Sequence, residues 1–263
     1  MSSLITRVRL KQIEQAIEKA KRLDGRGLDD YREIKIEQGF IEKAEGSARV
    51  LLGKTEVLVG VKVATGTPFP DTPNAGVLTV NAELVPVASP SFEPGPPGEN
   101  SIELARVVDR GIRESKAIDT KKLCIEPGKK VFVVFVDVYV LNHDGNLIDA
   151  SALAAVSALL NTKMPNYVVK DGEVIIKRGY TPLPLKNHPI TVTLGKINGK
   201  FIVDPLLEEE QVMDSRLSVA INDEGKICAM QKGRAGYFTQ QQILEAIKIV
   251  QKKVAELRKK LDW

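Results

Sequence analysis

Residues 130–160 read KVFVVFVDVYVLNHDGNLIDASALAAVSALL, and this stretch decides the fold class. Val131 to Leu141 is an apolar run dense in β-branched and aromatic residues, the composition of a strand. Asp144-Gly145 ends that strand with turn chemistry. Ile148 to Leu160 then packs Ala, Leu and Ser into a helical segment, which Met164-Pro165 terminates. The longest uncharged apolar run, Ala150 to Leu160, falls well short of the ~18–20 residues that cross a bilayer. A strand delivering its chain directly into a helix, with no membrane span, points to a mixed α and β globule.

Working outward, three further blocks carry strand composition: Ser47 to Val63, Val77 to Val87, and the pair Ile190 to Val203 with Leu217 to Met230. Gly53-Lys54, Asn198-Gly199 and Asp223-Glu224-Gly225 join strands into hairpins. Helices separate the blocks. Glu99 to Lys116 follows the stretch Pro94-Gly95-Pro96-Pro97-Gly98, which cannot itself be helical. Ile243, Ile247, Val250, Val254, Leu257 and Leu261 form one apolar seam in a helix over 239–261, the pattern of a helix lying on a sheet. At the other end, Ile5, Val8, Ile13, Ile17 and Ala20 predict a helix over 4–22, stopped by Asp24-Gly25. Sheet followed by helix occurs early and again late. The expectation is therefore an α+β fold of two pseudo-repeated sheet-plus-helix halves sharing one core, a single domain over 1–263. Tyr167 to Arg178, with Asp171-Gly172 at its centre, reads as a surface hairpin or insertion.

Of 263 residues, 38 are basic and 34 acidic, and 43% are hydrophobic, which excludes intrinsic disorder and fibrous repeats. The N-terminus lacks the apolar core of a secretory signal. Cys124 and Cys228 are isolated thiols without metal spacing, so a reducing, cytoplasmic setting is expected, with no metal and no cofactor. No GxGxxG, Walker loop or GxSxG elbow is present, and His143 and His188 are the only histidines.

Two patterns carry possible chemistry. In the helix over 99–116, Leu104, Val107, Val108, Gly111 and Ile112 make one stripe, while Arg106, Arg110 and Arg113 recur on the opposite face. Guanidiniums about one turn apart, ~5–6 Å, match successive phosphates of an extended strand. The competing reading is a solvated face on which Glu103 pairs with Arg106 and Asp109 with Arg113. The second pattern is the acidic run Asp204, Glu208, Glu209, Glu210 and Asp214. Carboxylates after a strand hold Mg²⁺ or act as a general acid, or else they form an acidic turn.

Several motifs together resemble the RNase PH family of phosphorolytic exoribonucleases. They are Arg22-Leu23-Asp24-Gly25-Arg26, Asp30-Tyr31-Arg32, Gly46-Ser47-Ala48, the helix Glu103 to Arg110, the junction Asp137 to Ser151, Val203-Asp204 and Met213-Asp214. Glu93 to Pro97, Ile125-Glu126-Pro127-Gly128 and Asn161-Thr162-Lys163 look more closely like the non-catalytic RNase PH-like subunit type of the archaeal exosome. The resemblance implies an RNase PH-like fold, of the ribosomal protein S5 domain 2-like kind. It implies a hexameric ring, a trimer of heterodimers with a catalytic RNase PH-like partner, capped by RNA-binding proteins and threaded by single-stranded RNA. It also implies that Arg106 and Arg110, with Arg113 beside them, hold RNA backbone near the partner's active site.

Active members of that family set a Gly-(Thr/Ser)-Arg motif at the start of the helix after the Asp-Gly strand end, where phosphate is clamped. Here Leu147 stands for the hydroxyl residue and Ile148 for the arginine, and Asp149 adds a negative charge expected to repel the anion. The resemblance therefore implies a non-catalytic RNA-binding and scaffolding subunit. The alternatives are a stand-alone phosphorolytic RNase using Lys232 and Arg234, or a purely structural ring member.

Overall fold

The computed structural model describes residues 4–170 and 173–261. The first sheet contains β1 (Ile34–Gln38), β2 (Gly46–Leu52), β3 (Thr55–Gly66), β4 (Val77–Leu84), β5 (Cys124–Glu126) and β6 (Lys130–Asn142). Its order is β1-β2-β3-β6-β4 with β5 on β6, and only β4 runs parallel to its neighbour β6. The expected strand over 131–141 is thus central. Its alternation places Phe132, Val134, Val136, Val138 and Val140 inward, each at most 1% exposed.

The second sheet, fully antiparallel, is ordered β10 (Lys200–Val203), β9 (Ile190–Ile197), β11 (Ser215–Ile221), β12 (Ile227–Gly233). Between the sheets lies α3 (Leu147–Leu160), packed against β2, β3 and β9. Contact on every side explains its composition: every residue from Ile148 to Leu159 is buried. The helix α2 (Glu99–Glu114) lies against α3, β4 and β12, with Leu104, Val108, Gly111 and Ile112 turned inward. The long C-terminal helix α5 (Gln240–Leu261) covers β9 and β11 with Ala246, Val250, Val254 and Leu257, so its seam faces a sheet. Thr239 caps it reciprocally with Gln242, Thr239 Oγ1 accepting from the Gln242 amide and Gln242 Oε1 from the Thr239 amide. Two main apolar clusters, one per half, are bridged by Tyr31, Ile34 and Leu261.

The N-terminal helix differs from expectation. α1 runs Leu4–Glu18 rather than 4–22. Ala20 takes a left-handed φ of 55°, and the Lys21 amide reaches back to the Ala16 carbonyl, a C-terminal cap. That early stop releases Arg22 into the interior, where it is 4% exposed. The strand expected over 77–87 ends at Leu84. The expected hairpin around 167–178 is wider, pairing β7 (Lys163–Lys170) with β8 (Glu173–Pro182), so Met164-Pro165 opens a strand after the helix has ended. Its Asp171-Gly172 tip lies outside the described residues. Short β1, β5 and the helix α4 (Leu207–Val212) carry too few residues to show a period in the sequence.

Candidate nucleic-acid interface

α2 presents Arg106, Arg110 and Arg113 to solvent, as their spacing predicts. Their surroundings separate them. Among the described residues Arg106 makes no hydrogen bond or ion pair: Glu103 instead binds Arg216 of β11 at 2.6 Å. The expected Glu103–Arg106 pair is absent because a longer-range arginine takes the carboxylate. Arg110 makes one long contact, 3.3 Å to Gln231 of β12. Arg113 is committed within the chain, clamped on Asp109 at 2.7 and 3.0 Å and donating to the Leu78 carbonyl. The Asp109 hydrogen bond holds the Arg113 guanidinium above its ordinary pKa despite partial burial. Among the described residues, then, Arg106 has no partner, Arg110 has one long contact and Arg113 is occupied.

The two halves are tied by a buried polar cluster. Asp204, fully buried with φ 50°, receives both forks of Arg32 at 2.7 and 2.9 Å, Arg26 at 2.8 Å and the Asn146 amide at 2.8 Å. Burial pushes its pKa up, but Arg32 above all overcomes this and holds the carboxyl below its ordinary value. Glu209 grips the buried Arg22, Glu208 pairs with Arg9, and Glu210 accepts from the Asn146 backbone amide. Asp214 is exposed. The acidic run thus disperses onto separate partners, and no cluster able to hold a metal occurs among the described residues.

The start of α3 carries no cation. Leu147 and Ile148 line a cavity of about 420 Å³ beside Phe92, Leu104, Glu210 and Arg216. Gly145, at φ 88°, makes the approach possible: an added Cβ would lie 2.4 Å from the Leu207 amide nitrogen. Asp149 is fully buried in the first turn of α3. Its carboxylate accepts from Tyr31 Oη, Asn146 Nδ2, Thr193 Oγ1 and the Thr193 amide at 2.7–3.0 Å. Burial raises its pKa to about 6, against the pull of those donors.

Arg216 is a cavity residue that pattern reading missed. Its partner Glu103 lies 113 positions away, so no local spacing signals it. Arg234 lines the same cavity, whereas Lys232, proposed with it, does not. His143, a loop residue by expectation, stacks on Phe92 at 5.4 Å, and burial lowers its pKa. No helix of the described residues is long and apolar enough to cross a membrane.

Residues 30–165 match domain 1, and residues 187–253 domain 2, of the 3′ exoribonuclease family RNase PH. The chain is 56% identical over 250 residues to a Thermococcus gammatolerans protein named exosome complex component Rrp42, covering 94% of this chain and 92% of that protein. A Methanothermobacter thermautotrophicus protein of the same name is 50% identical over 260 residues, 98% of this chain and 96% of the relative. Among solved structures, a chain of the Archaeoglobus fulgidus exosome with RNA bound to the active site superposes with TM-score 0.91. It is 46% identical, covering 98% of this chain and all of that one. An archaeal exosome core chain superposes at 0.88 with 42% identity, over 99% of this chain and 98% of that one.

Proposed function

From the premise that this chain belongs to the RNase PH family of 3′ exoribonucleases, carrying both of its domains in order, we propose that it is the non-catalytic RNA-binding and scaffolding subunit of an archaeal exosome. In this reading it alternates with a catalytic RNase PH-like partner in a hexameric ring, with RNA-binding cap proteins on one face, in the cytoplasm. The observation that carries it is a contrast within the chain. Among the described residues Arg106 is exposed without a partner and Arg110 nearly so, while Leu147 and Ile148 occupy the helix start where phosphorolysis needs a cation.

Phosphorolysis drives an anionic nucleophile against an anionic backbone, so positive charge must be fixed where phosphate sits. This chain supplies hydrocarbon there. What it supplies elsewhere is a pair of guanidiniums one turn apart, suited to holding backbone without reading bases. The RNA strand would lie along α2 and reach the partner's catalytic groups. Arg113, bound to Asp109, contributes little.

A stand-alone phosphorolytic enzyme is the second reading, favoured by Arg216 and Arg234 on the cavity wall. Glu103 neutralises the former, and Glu210 lies in the same cavity. Co-expression with the catalytic partner, mass determination and RNA titration test the proposal. A three-plus-three ring whose RNA affinity drops in Arg106→Ala/Arg110→Ala is expected. An unchanged affinity would make the subunit purely structural.

A further inference from the structure

We propose that Tyr237, in the loop between β12 and α5, is a stacking platform for a base of single-stranded RNA, set beyond one end of the arginine stripe on α2. The proposal rests on the RNA-binding reading and adds to it a contact with a base, made outside that helix.

Tyr237 combines high exposure with a fixed position. It is 76% exposed, yet the loop that carries it is seated tightly. An added Cβ at Gly236 would lie 2.4 Å from the Asp214 carbonyl oxygen, and the Gly236 amide donates to that same oxygen at 2.9 Å. Behind the ring, the Lys196 ammonium lies 5.0 Å from the centroids of both Tyr237 and Phe238 and donates to the Tyr237 carbonyl. Phe238 in turn stacks on Phe201 at 6.2 Å. The Tyr237 ring is therefore held from one side and open on the other, so little ordering cost remains for a ligand that stacks on it.

The charge around the ring sets the class of ligand. Lys196 is 7% exposed and pairs with no carboxylate among the described residues, so two rings and a carbonyl are all that compensate it. Lys232 and Arg234 are exposed just ahead of Tyr237, and Asp214 beneath the loop accepts from the Asn198 amide at 3.2 Å. A flat face joined to an anionic backbone suits an open ring rimmed by cations, and single-stranded RNA supplies both. Position gives the same answer. β12 runs beside α2 from Gln231, which meets Arg110 at 3.3 Å, to Gly233, which pairs with the Arg216 that binds Glu103. The chain then enters the loop, and Lys196 pairs with Ser215, next to Arg216. A strand running over Arg110 and then Arg106 is thus headed toward Tyr237.

Fluorescence anisotropy of the ring assembled with the catalytic partner tests this, with labelled oligoadenylate and an abasic oligomer of equal length titrated in the absence of phosphate. Tyr237→Ala should weaken oligoadenylate about tenfold and leave the abasic oligomer unchanged, and Tyr237→Phe should bind as the unaltered ring does. Irradiation of the unaltered ring with iodouridine-substituted RNA should crosslink the RNA to Tyr237. An unchanged oligoadenylate affinity in Tyr237→Ala, an equal loss for both oligomers, or a crosslink pattern lacking Tyr237 overturns the proposal. So does dissociation of the ring by Tyr237→Ala, which would make the tyrosine a subunit contact. If Arg106→Ala/Arg110→Ala still weakens RNA in those cases, the RNA-binding reading stands and only the platform falls. A loss in Tyr237→Ala with none in the double arginine variant would keep the platform and remove the track on α2.

Discussion

Two arginine groups in this molecule share a sequence spacing and differ in everything else. Arg22 and Arg26 stand four apart, as do Arg106 and Arg110. The first pair, joined by Arg32, is turned inward onto Glu209 and Asp204, where side-chain exposure is 13% or less. The second pair is exposed on α2 with almost nothing to hold. Spacing brings guanidiniums to one side of the chain; only the location of carboxylates decides whether they bind the fold or something outside it. The buried set joins the segment before β1 to the segment after β10, so it fastens one half of the protein to the other.

The sharpest way to break the comparison is to treat the groups alike. Arg32→Ala removes two of the five hydrogen bonds to the buried Asp204 carboxylate, along with its bidentate ion pair, and such a loss costs about 3–5 kcal/mol. Denaturant unfolding should show that loss, whereas Arg106→Ala should leave the midpoint unchanged. Equal effects would erase the distinction.

The cluster also makes a pH prediction. The Asp149 carboxyl titrates near 6 in the fold, against 3.8 in the unfolded chain. Between those values the native state retains a proton that the unfolded chain has released. Asp149 therefore subtracts from stability as pH rises from about 4 to 6, by up to about 3 kcal/mol. Asp204, held low, acts oppositely and withdraws its stabilisation as pH falls below the ordinary carboxylate range. In Asp149→Asn, the decline between pH 4 and 6 should shrink in urea midpoints, Glu210, whose carboxyl burial also raises, carrying what is left; an unchanged decline would clear Asp149 of it.

Effects on RNA come next in size. Arg106→Ala/Arg110→Ala in the assembled ring should weaken RNA binding about 10–100-fold and lower the salt slope by about one to two, since two phosphate contacts vanish. Arg113→Ala is the smallest change, within about 0.5 kcal/mol for stability and under threefold for RNA, because its guanidinium already belongs to Asp109 and the Leu78 carbonyl.

The elements with long periods were legible in the sequence: the alternation of β6, the stripe of α2 and the seam of α5 each declare which face is buried. The uniformly apolar α3 was readable as a helix, and its position between two sheets accounts for the missing polar face. What spacing could not reveal was pairing at long range. Glu103 sits three residues from Arg106 but binds Arg216, and Asp149 lies beside the expected phosphate position but turns toward Tyr31 and Thr193. Local rules rank neighbours along a helix; the interior offers competitors from distant strands, and burial makes those contacts stronger. Leu147 and Ile148 drew notice only against the motif of the family the sequence resembles, since a missing charge leaves no pattern of its own.

Incubation of the purified chain, without its partner, with single-stranded RNA and inorganic phosphate examines that absence directly. The account predicts intact RNA and no nucleoside diphosphate, with shortening restored when the catalytic subunit is added. Phosphate-dependent release of nucleoside diphosphates by the lone chain would contradict it.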